Sequence, residues 1–407
     1  MLLLYSAGIR SYHFIIWILS FFNAKARHFT EGRKNILKRI SNQLHPGDVH
    51  IWFHFASLGE FEQGRPVLEK LKARFPQKKI IITFFSPSGY EIRKNYALAE
   101  AVFYLPIDTA YQAKKFIEMV KPEMAIFTKY EFWHNYFKVL HQKQIPLYII
   151  SGIFRKNQVF FKSYGAFYRK TLSYVTHFFV QNEESKTLLK GIGLQNVTLS
   201  GDTRFDRVYE NAQAPKQLEA IEHYIGYSAT IICGSTWPED EKILAALSTK
   251  FPDWKFIIAP HEVNPAHIHE IETLFEGKAQ RFSRLNTGNP QKSQILIIDN
   301  IGMLSALYQY GRLAYIGGGF GAGIHNTLEA AAFGLPVIFG PKYDKFQEAK
   351  DLIETGAAKS INDVATLLTA FNEFKNNKQA AVTAAEYVSR QKGATLAILR
   401  YLYPEKF

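Results

Sequence analysis

The sequence predicts an α/β protein of two domains, each built on a parallel β-sheet flanked by helices. Short apolar segments alternate with helix-length segments along most of the chain, which is typical of βαβ units. The alternation stops in one polar stretch, residues 207–228, and then restarts. At 407 residues the chain is long enough for two domains with complete cores.

Composition and charge indicate a folded protein with anionic partners. Hydrophobic residues make up 47% of the chain, and 49 Lys and Arg against 36 Asp and Glu give a net charge of +13. A phosphorylated substrate, an acidic membrane surface and a nucleic acid all suit this charge. The single cysteine, Cys233, excludes an internal disulfide and a cysteine-rich metal site. No spacing typical of metal ligands is present, so we expect neither a metal nor a cofactor.

The N-terminal segment, residues 1–24, predicts a membrane anchor. It is rich in Leu, Ile and Phe, but its uncharged run, residues 11–23, is shorter than the ~20 residues of a spanning helix. A tilted span and a helix lying in the membrane interface both fit. Six Lys and Arg residues follow within positions 25–39, which favours the cytoplasmic side and binding to anionic headgroups. A signal peptide cleaved after Ala26 is the alternative.

The first domain, residues 25–206, is predicted from regular alternation of elements. Helices are predicted at 57–75 and from residue 90. Strands are predicted at 49–55, 79–85, 102–105, 124–128, 146–150 and 177–180.

Residues 207–228 suit an interdomain linker, and the second domain, residues 229–407, follows it. Helices are predicted over 364–403. Strands are predicted at 230–233, 255–259, 295–298, 313–316 and 336–339. Two Rossmann-like domains facing a central cleft are therefore expected, because such clefts are the usual place for ligands.

The most constrained-looking segment is IGGGFGAGIHNTLEAAAFGLPVIFGP, residues 316–341. It predicts a strand, a glycine-rich turn, a short helix and a second buried strand. Glycines suit places where the backbone approaches a ligand or adopts positive φ. Asn326 suits a helix N-cap, where an anion is favoured, and Glu329 suits a ribose diol. An ordinary strand–loop–helix connection is the alternative, since the spacing matches neither a dinucleotide fingerprint nor a P-loop.

Two carboxylates that follow predicted strands of the first domain, and one arginine at its end, are candidate catalytic residues. Glu60, in HFASLGE, lies near a helix N-terminus and suits a general base, although a carboxylate that only satisfies the helix dipole has the same spacing. Glu131 lies among aromatic residues in KYEFWHN. Arg204, in GDTRFD, suits a leaving phosphate or a surface ion pair with Asp206.

Taken together, these segments resemble the Kdo transferases, which move 3-deoxy-D-manno-octulosonic acid (Kdo) from CMP-Kdo to a lipid A precursor. The resemblance covers nearly the whole chain. It implies a GT-B fold, inversion at the anomeric centre, no metal, and a place on the cytoplasmic face of the inner membrane. Besides the segments above, the matching motifs are SGIFR, CGSTWPEDE, APHE and DNIGML.

Roles carried over from this resemblance divide the site residues into two groups. Glu60 would be the base that deprotonates the acceptor hydroxyl, and Glu131 and Arg204 would stabilise the transition state. The family usually has lysine where this chain has Arg204, and an arginine where it has His261-Glu262 after Pro260. CMP binding would fall to Pro260, His261, Ile301, Gly302, Met303, Gly318, Gly319, Asn326, Thr327, Leu328 and Glu329.

Three other functions remain as alternatives. The nearest is another GT-B enzyme, a transferase or an epimerase that acts on a UDP-sugar. A non-catalytic membrane scaffold would have a degenerate nucleotide fold, and the retention of Glu60, Glu131 and Glu329 disfavours it. A nucleic-acid binder is disfavoured because the basic residues cluster beside the N-terminal segment and no recognition motif is present.

Overall fold

The computed structural model describes residues 1–285 and 293–407. It divides into two compact units. The first comprises Met1–Asp206 together with Gly393–Phe407, and the second comprises Arg207–Lys392.

Each unit contains one seven-stranded sheet. The strands of the first sheet are β1 (His50–Phe55), β2 (Lys79–Phe84), β3 (Ala101–Tyr104), β4 (Pro122–Thr128), β5 (Leu147–Gly152), β6 (His177–Val180) and β7 (Val197–Leu199). Those of the second are β8 (Thr230–Thr236), β9 (Lys255–Pro260), β10 (Ala279–Arg281), β11 (Ile295–Ile297), β12 (Leu313–Ile316), β13 (Val337–Phe339) and β14 (Ala358–Ser360).

Helices connect the strands and complete both units. The first ten are α1 (Leu2–Leu19), α2 (Ala24–Arg33), α3 (Ile36–Gln43), α4 (Leu58–Arg74), α5 (Pro87–Arg93), α6 (Ala110–Val120), α7 (His134–Gln142), α8 (Ala166–Leu172), α9 (Glu183–Gly191) and α10 (Thr203–Gln213). The others are α11 (Glu219–Ile225), α12 (Pro238–Lys250), α13 (Pro265–Leu274), α14 (Leu304–Leu307), α15 (Leu328–Ala332), α16 (Gln347–Glu354), α17 (Val364–Phe374), α18 (Lys378–Gln391) and α19 (Ala394–Leu402).

Both sheets are parallel and open, and in each the strand order reverses beside the strand that comes first in the chain. The first runs β3-β2-β1-β4-β5-β6-β7 and the second runs β10-β11-β9-β8-β12-β13-β14. The reversal falls between β1 and β4 in the first sheet, and between β8 and β12 in the second. In open α/β sheets, ligands bind outside the carboxyl ends of the strands at such a point.

The core of the first unit lies on both faces of its sheet. Successive residues of a strand point to opposite faces, so Trp52 packs on one face while Ile51 and Phe53 pack on the other. Every residue of β1 is buried. A strand buried on both faces explains the nearly continuous apolar runs from which the strands were predicted.

Strands that were not predicted share one property. β7, β10 and β14 each have three residues and lie at an edge of their sheet. Most of their residues are only half-buried, so they lack the apolar run that marks a central strand.

The C-terminal segment, residues 393–407, was expected from the sequence to lie in the second domain. The structure places it in the first unit, where the buried carboxylate of Asp206 holds it. This carboxylate accepts hydrogen bonds from the backbone N–H of Gly393 at 2.5 Å and of Thr395 at 2.7 Å. Side chains of α19 then join the core, with Ile398 and Leu399 packed beside α4. The expected linker, residues 207–228, includes most of α10 and all of α11.

Helix α1 confirms the predicted N-terminal apolar helix. It has 18 residues and none of them is buried. Among the described residues it is the one helix long and apolar enough to cross a membrane. The Tyr5 hydroxyl makes two polar contacts with the rest of the first unit. It donates a hydrogen bond of 2.5 Å to the buried Asp108 carboxylate and accepts one of 3.3 Å from the backbone N–H of His134.

Candidate functional site

Both units place polar residues where the strand order reverses. In the first unit, Glu60 follows β1 and Glu131 follows β4. In the second unit, Trp237 follows β8, and the glycine loop, defined here as residues 317–323, follows β12. Each pair of strands is adjacent in its sheet, so topology gives each unit one candidate site at the carboxyl edge.

Glu60 lies in the first turn of α4, directly after β1. The N-cap of this helix is Ser57, whose Oγ accepts a hydrogen bond from the backbone N–H of Gly59 at 3.3 Å. The same hydroxyl donates to Oε2 of Glu60. The Glu60 side chain is half-buried, and the 17-residue helix presents its positive end to this carboxylate.

Glu131 accepts two hydrogen bonds from ring N–H groups. Trp133 donates its indole N–H to Oε2 at 2.8 Å, and Nε2 of the buried His54 lies 3.3 Å from the same oxygen. The Glu131 side chain is 16% exposed and the His54 side chain 0%, so solvent reaches the carboxylate but not the imidazole. Burial lowers the pKa of His54, which keeps the ring neutral.

Three non-glycine residues at strand ends have left-handed backbone conformations. Lys129, Ser151 and Ser235 have φ values of 62°, 50° and 53°, and lie at the carboxyl ends of β4, β5 and β8. Such conformations cost on the order of 1–3 kcal/mol each and cluster at functional sites. Their position therefore agrees with the site that topology indicates.

Arg204 is paired with a carboxylate other than the expected one. Its Nε lies 2.8 Å from Oδ2 of the buried Asp202, and Asp206 instead holds the C-terminal segment. The segment around Arg204 also contacts α4, since the hydroxyl of the neighbouring Thr203 donates to the backbone carbonyl of Gln63. Gln63 is one turn beyond Glu60, so the Arg204 segment packs on the helix that carries Glu60.

In the glycine loop, most of the glycines are needed because other backbone segments pack too closely to leave room for a side chain. A Cβ at Gly317 would lie 2.3 Å from the carbonyl oxygen of Ser235, and one at Gly319 would lie 2.6 Å from Cα of Gly340. Gly318 has a φ of 90°, and its N–H donates to Oδ2 of the buried Asp240 at 2.9 Å. The loop is thus a turn held by a buried carboxylate. This agrees with the alternative given from the sequence, an ordinary connection between a strand and a helix.

Three rings stack beside the glycine loop. The ring of His261 lies 4.9 Å from the ring of Trp237 and 4.3 Å from that of His325, measured between ring centroids. The Trp237 indole N–H donates to Nε2 of His325 at 3.2 Å, so this nitrogen carries no proton. Burial, with a smaller contribution from His261, lowers the pKa of His325 to about 4.

Residues 326–329 form the start of α15, which has only five residues. Its N-cap is Thr327, while the Asn326 side chain accepts from the N–H of Leu328 at 3.1 Å and donates to Oε1 of Glu329 at 3.1 Å. The Thr327 hydroxyl is buried and has no hydrogen-bond partner among the described residues. Leu328 is fully buried.

The other predicted donor residues follow β9 and β11. Pro260 is buried as the last residue of β9, and the N–H of His261 donates to the carbonyl oxygen of Thr236 at 2.9 Å. Ile301 is 89% exposed, Gly302 has a φ of 97°, and Met303 is the N-cap residue of α14.

Comparison with known proteins shows similarity to one family. A family model described as 3-deoxy-D-manno-octulosonic-acid transferase (kdotransferase) matches residues 25–207. The 3-deoxy-D-manno-octulosonic acid transferase of Aquifex aeolicus is 28% identical over 358 residues, 86% of this chain and 92% of that protein. The enzyme of the same name from Haemophilus influenzae is 26% identical over 380 residues, 88% of each chain. Over most of its length the chain is thus similar to Kdo transferases.

A solved structure shows the same fold. The UDP-GlcNAc 2-epimerase of Neisseria meningitidis, solved with bound UDP-GlcNAc, matches with a TM-score of 0.63 at 17% identity, over 87% of this chain and 99% of that one. This likeness concerns the fold alone. With the two parallel sheets, it confirms the predicted GT-B class.

Sequence reasoning missed several residues that organise the site. The structure adds His54 and Asp240, each of which holds a predicted residue in place, and the stacked Trp237 and His325. A signal for His54 was present in HFASLGE, because residues 52 and 54 of a strand point to the same face. The stack joins residues 237, 261 and 325, which are far apart in sequence, so no local sequence pattern predicts it.

Proposed function

We propose that this chain transfers Kdo from CMP-Kdo to a hydroxyl of a lipid A precursor, with inversion at the anomeric carbon and without a metal. The observation that carries the proposal is the pair of carboxylates, Glu60 and Glu131, after adjacent strands in the segment that the family model matches. Kdo transfer by the named relatives supports the donor, and the acceptor follows from the resemblance.

Glu60 acts as the general base. It removes the proton of the acceptor hydroxyl while the oxygen attacks C2 of Kdo. The bond between C2 and the phosphate oxygen breaks, and its electron pair leaves with CMP. Among the described contacts, one oxygen of Glu60 accepts from Ser57 and the other has no donor, so a lone pair is available for the proton.

Glu131 and Arg204 stabilise the charges of the transition state. As CMP leaves, C2 becomes cation-like and negative charge develops on the phosphate. A carboxylate stabilises the first and a guanidinium stabilises the second. Trp133 and His54 hold Glu131, and Asp202 holds Arg204, so neither side chain must reorganise during the reaction.

The second unit binds CMP through the glycine loop and the residues around it. Buried backbone at Gly318 and Gly319 supplies a rigid wall, and the unpartnered Thr327 hydroxyl is a hydrogen-bonding group that a bound nucleotide would satisfy. The remaining groups assigned to CMP are Pro260, His261, Ile301, Gly302, Met303, Asn326, Leu328 and Glu329.

A lipid acceptor at the cytoplasmic face of the inner membrane is supported by the N-terminal helices. An apolar pocket of about 380 Å³ lies where α1 and α2 meet the residues after β2. It is large enough for part of an acyl chain, and the exposed apolar side chains of α1 continue from it. Its apolar lining includes Tyr12, Ile16, Leu19, Ala26, Phe29, Phe85 and Pro87.

Nucleotide selectivity tests the donor. Bound CMP should raise the melting temperature of the protein in EDTA, and UDP at the same concentration should leave it nearly unchanged, because a ligand stabilises the fold only when it binds the folded state. A shift with UDP and none with CMP would replace this proposal by the alternative, an enzyme that acts on a UDP-sugar. A CMP shift that requires Mg²⁺ would contradict the metal-free assignment.

A further inference from the structure

A chain of hydrogen bonds runs from the core of the first unit to Glu131. The indole N–H of Trp52 donates to Oγ1 of Thr83 at 2.8 Å. That oxygen also lies 2.8 Å from Nδ1 of His54, whose Nε2 lies 3.3 Å from the Glu131 carboxylate. Trp52, His54 and Thr83 are each fully buried, and they lie on the neighbouring strands β1 and β2.

Donor and acceptor roles along this chain follow from the groups at its two ends. An indole N–H only donates and an ionised carboxylate only accepts. Thr83 therefore accepts from Trp52, and its hydroxyl proton is directed to Nδ1 of His54, at 2.8 Å, rather than to the carbonyl oxygen of Phe53, at 3.5 Å. His54 is then the tautomer with its proton on Nε2, directed at Oε2 of Glu131. Trp133 donates to the same oxygen, so two N–H groups fix it.

Because His54 is buried, this arrangement requires its imidazole ring to be neutral. Charging a fully buried imidazole is unfavourable, and the lowered pKa of His54 has this cause. Phe127 packs on the ring at 4.6 Å between centroids and limits its rotation. The imidazole is thus a rigid, neutral hydrogen-bond donor held by the sheet.

We propose that His54 is a positioning residue for Glu131, with Thr83 as the group that donates to its Nδ1 and so selects its tautomer. The inference rests on the proposed function, in which Glu131 stabilises the cation-like Kdo carbon. In this proposal the buried residues of the sheet, acting through His54, fix the position of the Glu131 carboxylate oxygen. His54 itself takes no part in proton transfer.

Two substitutions at residue 54 separate positioning from packing. His54→Phe keeps an aromatic ring but removes the donor, and His54→Gln keeps an N–H near the place of Nε2. A misplaced stabilising group lowers kcat by about 10²-fold, so His54→Phe should lose on this order in kcat with KM nearly unchanged. His54→Gln should recover most of the loss.

Trp52→Phe is the matched control. It removes a buried donor from the same chain, at the end far from Glu131, and leaves the Thr83–His54–Glu131 contacts intact. We expect it to lower the melting temperature while kcat stays near that of the wild type. Equal losses of kcat in Trp52→Phe and His54→Phe would show that disturbed packing explains both, and would overturn the proposal.

A double-mutant cycle tests whether His54 acts through Glu131. If it does, His54→Phe should lower kcat no further in a Glu131→Gln background, because the group that it positions is already altered. Additive losses would contradict positioning. A fully active Glu131→Gln would contradict the role of Glu131 in the proposed function. An inactive Glu131→Gln together with a fully active His54→Phe would contradict only the positioning role of His54.

Nitrogen-15 NMR provides a readout that does not depend on turnover. Correlations between ring carbon-bound protons and ring nitrogens distinguish the two neutral tautomers, and the spectrum of His54→Gln identifies the His54 signals. We expect the Nε2–H tautomer near pH 7 in the wild type, and its loss in Thr83→Val, which cannot donate to Nδ1. The Nδ1–H tautomer in the wild type would overturn the proposal even if Kdo transfer is observed.

Discussion

Glu60 and Glu131 differ in how their carboxylates are already bound. Glu131 accepts from two ring N–H groups at one oxygen, whereas Glu60 accepts from one serine hydroxyl at the start of α4. A base must receive a proton, and a group that stabilises positive charge must stay ionised and fixed. These surroundings support the assignment of the base to Glu60 and of electrostatic stabilisation to Glu131.

Glu60→Gln tests this assignment. The amide keeps the shape and hydrogen-bonding reach but removes the basicity, so kcat should fall by about 10²–10⁴-fold while CMP binding stays near normal. Glu62→Gln, two residues along the same helix in contact with Arg65 and Arg93, is the control and should keep its activity. A carboxylate that only satisfies the helix dipole predicts the reverse: a destabilised Glu60→Gln with normal turnover. Initial rates and melting curves separate the two.

Asp108 predicts a pH dependence of stability. It is 3% exposed, and burial raises its pKa from 3.8 to about 6. The folded state therefore binds this proton more tightly than the unfolded chain does. The resulting stabilisation, on the order of 3 kcal/mol, is present below about pH 4 and is lost as the pH rises through 6.

Asp108→Asn removes this titration and keeps an oxygen that accepts from Tyr5. Between pH 4 and 6, the free energy of unfolding of the variant should rise more steeply with pH, or fall less, than that of the wild type. Urea denaturation at several pH values measures the difference. Parallel curves for the two proteins would show that Asp108 does not titrate as proposed.

At the scale of elements, the glycine loop offers a test that is steric rather than conformational. Neither Gly319 nor Gly321 has positive φ, but a Cβ at Gly319 would lie 2.6 Å from Cα of Gly340, and one at Gly321 would meet only the carbonyl of Gly318 at 3.6 Å. Gly319→Ala should therefore cost about 1–3 kcal/mol and weaken CMP binding, while Gly321→Ala should be nearly neutral. Thermal denaturation and calorimetric titration with CMP measure both effects, and equal behaviour of the two variants would contradict this account of the loop.

Elements were predictable from sequence where burial on two faces left a strong pattern. The central strands are apolar along their length, and β6 and β12 were predicted to the residue. β7, β10 and β14 escaped because an edge strand of three half-buried residues leaves no such pattern. Placing α19 required the contact of Asp206 with residues 393 and 395, and no sequence pattern records a contact over that separation.

The candidate site was predictable only in part for the same reason. Strand ends located Glu60 and Glu131, because parallel strands bring their carboxyl ends to one edge of a sheet. The partners that orient them depend on neighbouring strands and loops: His54 reaches a residue 77 positions away. The partner of Arg204 proved to be Asp202 rather than Asp206, since two carboxylates in one motif cannot be ranked without coordinates.

At the scale of the whole molecule, attachment to a membrane is separable from the fold. Because α1 contributes no buried residue, a protein that lacks residues 1–22 should fold and keep its affinity for CMP. The full chain should bind vesicles that contain anionic lipid, and the truncated protein should lose most of this binding. Sedimentation with such vesicles measures this, and vesicles of neutral lipid alone are the control. Equal binding by both proteins, or a periplasmic product cleaved after Ala26, would contradict the proposed anchor.

The mass of the acceptor after reaction tests the central proposal most directly. The full-length protein is incubated in detergent and EDTA with CMP-Kdo and a tetraacylated lipid A precursor, beside Glu60→Gln as a folded, inactive control. The proposed function predicts an acceptor heavier by one or more Kdo residues, with CMP released, and an unchanged acceptor with Glu60→Gln. An unchanged acceptor with the wild-type protein, in a preparation that still binds CMP, would contradict it.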